Sequence, residues 1–526
     1  MIRFITLLIT FTCCLTALAA AKPNVIIFLM DDMGYGDVQR FNPKCAIPTK
    51  NLNRLAEEGL YFTHGHSSAS VCAPSRYALL TGNRVYRGKR PMGTWAPFGG
   101  SQIRAGQLTL SKHLQNAGYT TAFFGKFHLG GKSNGLSNKF SAGPIDQGFD
   151  YSLTLPSGIQ SNPYAFYKND RLSRWNPKRK AFEHFANDAE AKKVFTNGKM
   201  DNWSTATVGP LLTRDALAFI DRHHEENGAK KPFFMYYCSQ AGHTPYKPPA
   251  TFNVDAPTEV KDGAIKIKGQ TTNIRTDMIY EADVSVGLFL DKLKEKGMHS
   301  NTLFVFTSDN GVAKGIDAKW TNPIYKDIKD GPYGGERIEP GANSTDHVNG
   351  QGVENGIPLR GKKGYCFEGG HRVPMIFHWP GKIKPQAVDD ELFVLHDFFR
   401  TISGLLNLNV PAGQAIDSVD FSQRLLNQHT RHPVRGQLLV QSNRPVYGKD
   451  KKQIGWSFYK IDTIADKRTI QKALINNDKN KPVENARKSS LIEIYDLSTD
   501  PGENAPIKNT KTGRALHDLY KKALTE

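Results

Sequence analysis

The chain has 526 residues, a formal net charge of +19, 39% hydrophobic and 23% charged residues, and six cysteines. That length and apolar content exclude a disordered or fibrous chain, and so few cysteines exclude a disulfide scaffold. The positive charge points to an acidic partner (a sulfated glycan, a nucleic acid or an anionic surface), and no RGG, zinc-finger or heptad pattern favours nucleic acid.

Arg3, an apolar stretch over 5–18 and small residues over 17–21 read as a secretory signal over 1–21. The mature chain is therefore expected to be exported, periplasmic or secreted by a bacterium, without a stable membrane anchor. It keeps Cys45, Cys72, Cys238 and Cys366. Residues 25–30 (VIIFLM) form an apolar run ending in Asp31 and Asp32. A helix is predicted over 49–58, stopped by Gly59. Residues 72–82 read CAPSRYALLTG. Pro74 suits a first helical position, so free amides would face residue 72, with the Arg76 cation one turn on.

A helix over 108–116 precedes the apolar run 120–124, which leads into Gly125, Lys126, Phe127 and His128. The stretch 164–205, rich in basic and aromatic residues, reads as an insertion. A helix over 211–226 precedes the run 232–237, followed by 239–243 (SQAGH). A helix over 278–296 precedes LFVF at 303–306, which ends in Ser308, Asp309 and Asn310. A second insertion covers 314–356, before LRGKKGYCFEGGHRVP at 359–374 and a strand over 373–379. Beyond it come a helix over 396–406, strand-like runs at 436–441, 456–461 and 491–497, a turn at Asp500, Pro501 and Gly502, and a last helix over 512–524.

Short, nearly continuous apolar runs alternating with helices predict an α/β fold. It is a large, mainly parallel (mixed) sheet sandwiched by helices, with a smaller C-terminal α+β subdomain containing a short antiparallel sheet. The expected units are a catalytic domain over 22–384 and the subdomain over 385–526. In such sheets chemistry gathers at the carboxyl ends of the strands, where the polar clusters fall.

The run from Cys72 to Gly82, with Pro74, Ser75, Arg76 and Thr81, resembles the type I, formylglycine-dependent sulfatases of the alkaline-phosphatase-like superfamily. Cys-x-Pro-x-Arg is the signature by which that family's cysteine is oxidised to formylglycine. The resemblance extends over 24–504 with its blocks in the family's order, and bacterial polysaccharide sulfatases fit it best. Phe127 stands where the family usually has Trp.

The resemblance implies that Asp31, Asp32, Asp309, Asn310 and Cys72, as formylglycine, hold Ca²⁺, with Mg²⁺ as the alternative ion; all-oxygen ligands agree with that choice. It implies a catalytic set of Cys72, Arg76, Lys126, His128, His243 and Lys363, with Lys362 a decoy. In this reading Lys126, Lys363 and Arg76 neutralise the sulfate oxygens and His243 protonates the leaving alcohol. His128 then takes the proton from the remaining hydroxyl at position 72. Glu368 is expected to support the Lys363 loop. His66, Trp95, Arg104, Trp175, Trp203, Lys314, Trp320 and Arg337 are candidate substrate-lining residues.

The implied partners are a sulfated glycan and the enzyme that generates formylglycine; the chain carries no signal of oligomeric state. Among glycans the favoured substrate is a marine algal galactan such as carrageenan, with glycosaminoglycans second. A phosphodiester or phosphonate monoester hydrolase of the same superfamily is the rival enzyme, and a non-catalytic glycan-binding protein the rival outside enzymes.

Overall fold

A computed structural model describes residues 22–525 except 91–94, 96–98, 132–138, 197–198, 272–273, 314–352, 355–356, 428–433, 448–452, 465–466, 478–481, 502, 504 and 509. Its main sheet contains Asn24–Met30 (β1), Leu60–His66 (β2), Thr120–Lys126 (β3), Tyr151–Leu155 (β4), Phe166–Lys168 (β5) and Arg171–Asn176 (β6). Ala181–His184 (β7), Phe233–Cys238 (β8), Thr302–Ser308 (β9), Met375–His378 (β10) and Ala387–Val394 (β11) complete it. The strand order is β11-β2-β10-β9-β1-β8-β3-β4-β5-β6-β7.

Every residue of β1 is buried, as its unbroken apolar run requires of a central strand. Val25, Ile27 and Leu29 enter one core and Ile26, Phe28 and Met30 the other, because strand side chains alternate between faces. One core is closed by Cys72–Thr81 (α2) and Phe398–Leu405 (α6). The other is closed by Lys50–Glu57 (α1), Val208–Asn227 (α3) and Ile274–Glu295 (α4). β9, β1, β8, β3 and β4 are parallel neighbours, while β10 runs against β9 and β2. β2 therefore points the same way as β1, and its carboxyl end delivers the chain to α2.

Within the expected insertion at 164–205, β5, β6 and β7 form an antiparallel arm that extends the sheet, with Phe166, Trp175 and Phe182 in one core and Tyr167 and Leu172 in the other. Beyond residue 384, β11 pairs in parallel with β2, and α6 packs into the first core. The smaller unit is the antiparallel sheet of Gln437–Tyr447 (β12), Gln453–Ile464 (β13), Lys467–Asn476 (β14) and Ser490–Asp496 (β15). One face packs Val440, Tyr459 and Leu474 against Cys366, Phe367 and Val394; the other packs Trp456 and Phe458 against Thr510–Thr525 (α7). Among the described residues no helix is long and apolar enough to cross a membrane.

Candidate active site

The ends of β1, β8, β3 and β9 and the start of α2 converge at one edge of the sheet. Cys72 is the first residue of α2, with Val71 in extended conformation before it. Pro74 is thus third in the helix rather than first, still within the turn whose amides lack internal partners. All ten residues of α2 are buried, so position 72 rests on a helix fixed by the core.

Two site residues adopt a left-handed backbone: Asp32 at φ 59° and His128 at φ 54°. For residues with a Cβ that conformation is uncommon and costs on the order of 1 kcal/mol, which the surrounding core must hold in place. Gly242 at φ 96° allows the loop before His243 to approach β1, since a Cβ there would lie 2.5 Å from the Asp31 carbonyl oxygen.

Acids and bases pair closely. Lys126 Nζ donates to both Asp31 oxygens at 3.1 and 2.8 Å. Lys363 Nζ lies 2.6 Å from Asp32 Oδ1, which also accepts from Asn310 Nδ2 at 2.7 Å. Arg76 donates through Nε to Asp309 Oδ2 at 2.9 Å and through Nη1 to the Lys126 carbonyl at 2.7 Å. Three carboxylates thus face three cations in a buried space. One ligand atom each from Asp31, Asp32, Cys72 and His243 lies within 4.8 Å of the others. Asn310 Oδ1 is buried there without a hydrogen-bond partner. Carboxylates with an orphaned amide oxygen fit a hard divalent cation.

The electrostatics follow from this crowding. Burial would raise the Asp31 carboxyl, yet Lys126, His243 and Arg76 hold it down to about 2. Burial also works against a Cys72 thiolate, but Lys126 and Lys363 bring the thiol well below its usual value. Burial lowers His128 despite its bond to Cys72. His243 Nδ1 lies 2.6 Å from the Thr244 carbonyl oxygen, which fixes the proton on Nδ1. Its Nε2 is left to accept from Lys363 Nζ at 3.1 Å.

The structure brings Asp31, Asp32, Cys72, Arg76, Lys126, His128, His243, Asp309, Asn310 and Lys363 together. Lys362 instead places its ammonium 5.8 Å from the Tyr365 ring. Arg76 is only 1% exposed and is occupied with Asp309 and the Lys126 carbonyl, so it shapes the acid cluster rather than standing free for sulfate.

Most expected substrate-lining residues lie elsewhere. His66 is fully buried, its Nδ1 3.0 Å from His371 Nδ1. Trp95 packs in the core against Tyr77. Trp175 is buried under Arg214 in the β5–β7 arm, and Trp203 lies half-buried, tilted against Tyr164 and Phe166. Trp95 and Trp175 are large apolar rings that gain more from burial than from an open cleft. Arg104 donates to the Gly88 carbonyl and lines a cavity with Arg87, Gln107 and Gln414. That cavity lies past the far end of α2, about 15 Å along the helix from Cys72. Lys314, Trp320 and Arg337 lie outside the described residues.

Several supporting residues carry no local signal. Glu368 accepts from Tyr459 Oη at 2.6 Å and Lys472 Nζ at 3.0 Å, and Lys472 also meets Glu503 at 2.8 Å. These tie the Lys363 loop to the C-terminal sheet. Ser70 N donates to the Gln441 carbonyl at 3.1 Å, and Ser442 Oγ to the Gly364 carbonyl at 2.9 Å, bracketing the approach to Cys72. Arg275 holds Asp37 and reaches the Asp32 carbonyl at 3.4 Å.

The chain resembles known proteins along nearly its whole length. The Sulfatase family model matches residues 23–408. An N-acetylgalactosamine-6-O-sulfatase of Bacteroides thetaiotaomicron is 28% identical, covering 96% of this chain and 93% of that protein. A solved sulfatase from work on glycosaminoglycan metabolism in the same organism superposes with a TM-score of 0.69 at 23% identity, covering 96% of this chain and all of that one. A structure solved in complex with a neocarrahexaose superposes at 0.63 with 22% identity, covering 96% and 93%.

Proposed function

The chain belongs to the sulfatase family and is a sulfuric ester hydrolase acting on glycans, and from that premise we propose that it removes sulfate from a galacto-configured sugar, using formylglycine at position 72 and Ca²⁺. The observation that carries the mechanism is the convergence of Asp31, Asp32, Cys72 and His243 at the start of α2, flanked by Lys126 and Lys363. N-acetylgalactosamine, in the name of the full-length relative, and the galactose of carrageenans share the galacto configuration. This reading therefore covers both the algal galactan and the glycosaminoglycan.

Asp31, Asp32, Asp309 and Asn310 would hold the cation. Bound there, Ca²⁺ supplies charge that polarises the ester and lowers the pKa of an attacking hydroxyl. Formylglycine formed from Cys72 supplies, once hydrated, two hydroxyls on one carbon, one to attack and one to expel the product. Lys126 and Lys363 bind the sulfate oxygens. Arg76 keeps Asp309 oriented through its two-nitrogen contact. His243, with Nδ1–H tied to Thr244 and Nε2 beside Lys363 Nζ, carries a proton at Nε2 to the leaving alcohol. His128, which hydrogen-bonds to residue 72, takes the proton from the second hydroxyl. The chain is expected to act after export through its secretory signal and after conversion of Cys72 by a maturation enzyme.

The test is sulfate release from carrageenans, chondroitin sulfate, heparan sulfate and fucoidan, with aryl sulfate and aryl phosphate diester controls. Mass spectrometry of residue 72 is read on the same batch. Release from the galacto-configured glycans alone supports the proposal. Release from heparan sulfate or fucoidan alone overturns the sugar assignment. Turnover of the phosphate diester with no sulfate release from converted protein overturns the reaction.

A further inference from the structure

At the amino edge of the main sheet, opposite the catalytic end, three adjacent strands bring two imidazoles and a carboxylate together. Glu58 follows α1 and precedes β2. His299 opens the single turn His299–Asn301 that leads into β9. His378 ends β10, the antiparallel strand between those two. One ligand atom from each of the three residues lies within 4.8 Å of the others.

The local contacts favour a bound ion. His378 Nε2 stands 3.4 Å from Glu58 Oε2, with side-chain exposures of 2% and 42%, so the cluster is rooted in the core and open on the carboxylate side. The His299 and His378 ring centroids are 5.2 Å apart. His299 Nε2 is buried with no hydrogen-bond partner. An orphaned buried nitrogen commonly marks the place of a water or an ion. Arg54 and Lys294 also face the cluster. Arg54 meets Glu58 by one contact of 3.9 Å through Oε1, which leaves Oε2 on the side of His378.

We propose that Glu58, His299 and His378 form a binding site for a zinc-class divalent cation, separate from the catalytic cluster, that staples β2, β10 and β9 at their amino edge. Two imidazoles and one carboxylate are a zinc donor set with one position left for water; calcium takes oxygen ligands instead. The ion would tie together three chain segments whose nearest members in sequence are about 80 residues apart; because the site exists only in the folded chain, its binding energy adds to the stability of the sheet.

The test titrates Zn²⁺ alone, by calorimetry and thermal unfolding, into the full chain and into His299→Gln and Glu58→Gln, with Ca²⁺ as control. The expected result is one fewer zinc equivalent in His299→Gln, and loss of the zinc-dependent rise in unfolding temperature. Glu58→Gln should weaken the site by more than the roughly 10-fold that loss of an outer-shell partner costs. Both variants should keep sulfate release measured with Ca²⁺ and no zinc. Equal zinc stoichiometry in wild type and both variants would overturn the proposal, because the ion would then go only to the catalytic cluster; no binding at all would overturn it equally. If His299→Gln does not fold, the exposed Glu58→Gln carries the same comparison.

Discussion

Arg76 grips a single oxygen of Asp309 twice: Nε lies 2.9 Å and Nη2 2.6 Å from Oδ2, and neither side chain is more than 1% exposed. Burial opposes the guanidinium charge, but Asp309 and Asp31 raise its pKa well above the usual value, so it stays charged. Removing one partner of such a pair leaves the other as an uncompensated buried charge. Arg76→Met should therefore destabilise the fold by about 3–5 kcal/mol. Arg76→Lys should fall between, since it keeps charge but loses the fork to Asp309 and the Lys126 carbonyl. Thermal unfolding of the three proteins measures this. Equal midpoints would mean that the pair adds nothing to the fold.

Cys72→Ala should lower sulfate release by at least about 10³-fold, as expected for loss of a covalent nucleophile. The unfolding midpoint should stay near that of the wild type, because Tyr77, Leu79 and Leu80 keep α2 in the core. Retained turnover would remove position 72 from the mechanism.

Chelation should lower sulfate release, and added Ca²⁺ should restore it. Asp31→Asn should block the recovery, because it leaves Lys126 without its carboxylate and the cation without a ligand. Recovery in Asp31→Asn equal to wild type would place the cation elsewhere.

Burial takes the His66 imidazole from its usual 6.5 down to about 3, against the pull of Glu368. The folded state therefore prefers the neutral ring. Its stabilising contribution is full above pH 6.5 and is lost as pH falls towards 3. His66→Gln, which still offers His371 a polar partner, should flatten that acid limb. Unfolding midpoints across this range give the answer, and an unchanged limb would assign the proton uptake to another group.

Glu281 has the opposite sense. Burial raises its carboxyl from 4.5 to about 8, with only Gln240 opposing. Its contribution is present below pH 4.5 and is lost as pH rises through 8. Glu281→Gln should gain stability over wild type in alkaline buffer and show no gain at acid pH. A constant difference across the range would rule out its ionisation as the cause.

That the proposed catalytic residues lie together was readable because their positions are written locally. Asp31 and Asp32, Lys126 and His128, His243, and Asp309 and Asn310 each follow a buried apolar run, and such runs become neighbouring parallel strands whose carboxyl ends share one edge. Lys363 was separable from Lys362 by its block, and the fold agrees: its backbone N–H donates to the Val312 carbonyl at 2.9 Å, beside Asn310 and Gly311. The aromatic and histidine candidates were not readable in this way. A tryptophan in a basic stretch looks the same whether it lines a cleft or fills a core, and Trp95 and Trp175 fill cores.

By itself the sequence determined the strand–helix alternation, the positions of the acids and bases along it, and the family, because periodicity and motif spacing act over a few residues. The tertiary structure decided what those residues face. Glu368 meets Tyr459 across 91 residues and Lys472 across 104, and Asp309 meets Arg76 across 233. Pairings at such separations leave no mark in local spacing. They arise only when burial on both faces of one sheet brings distant strand ends together, where buried charges must be paired with one another.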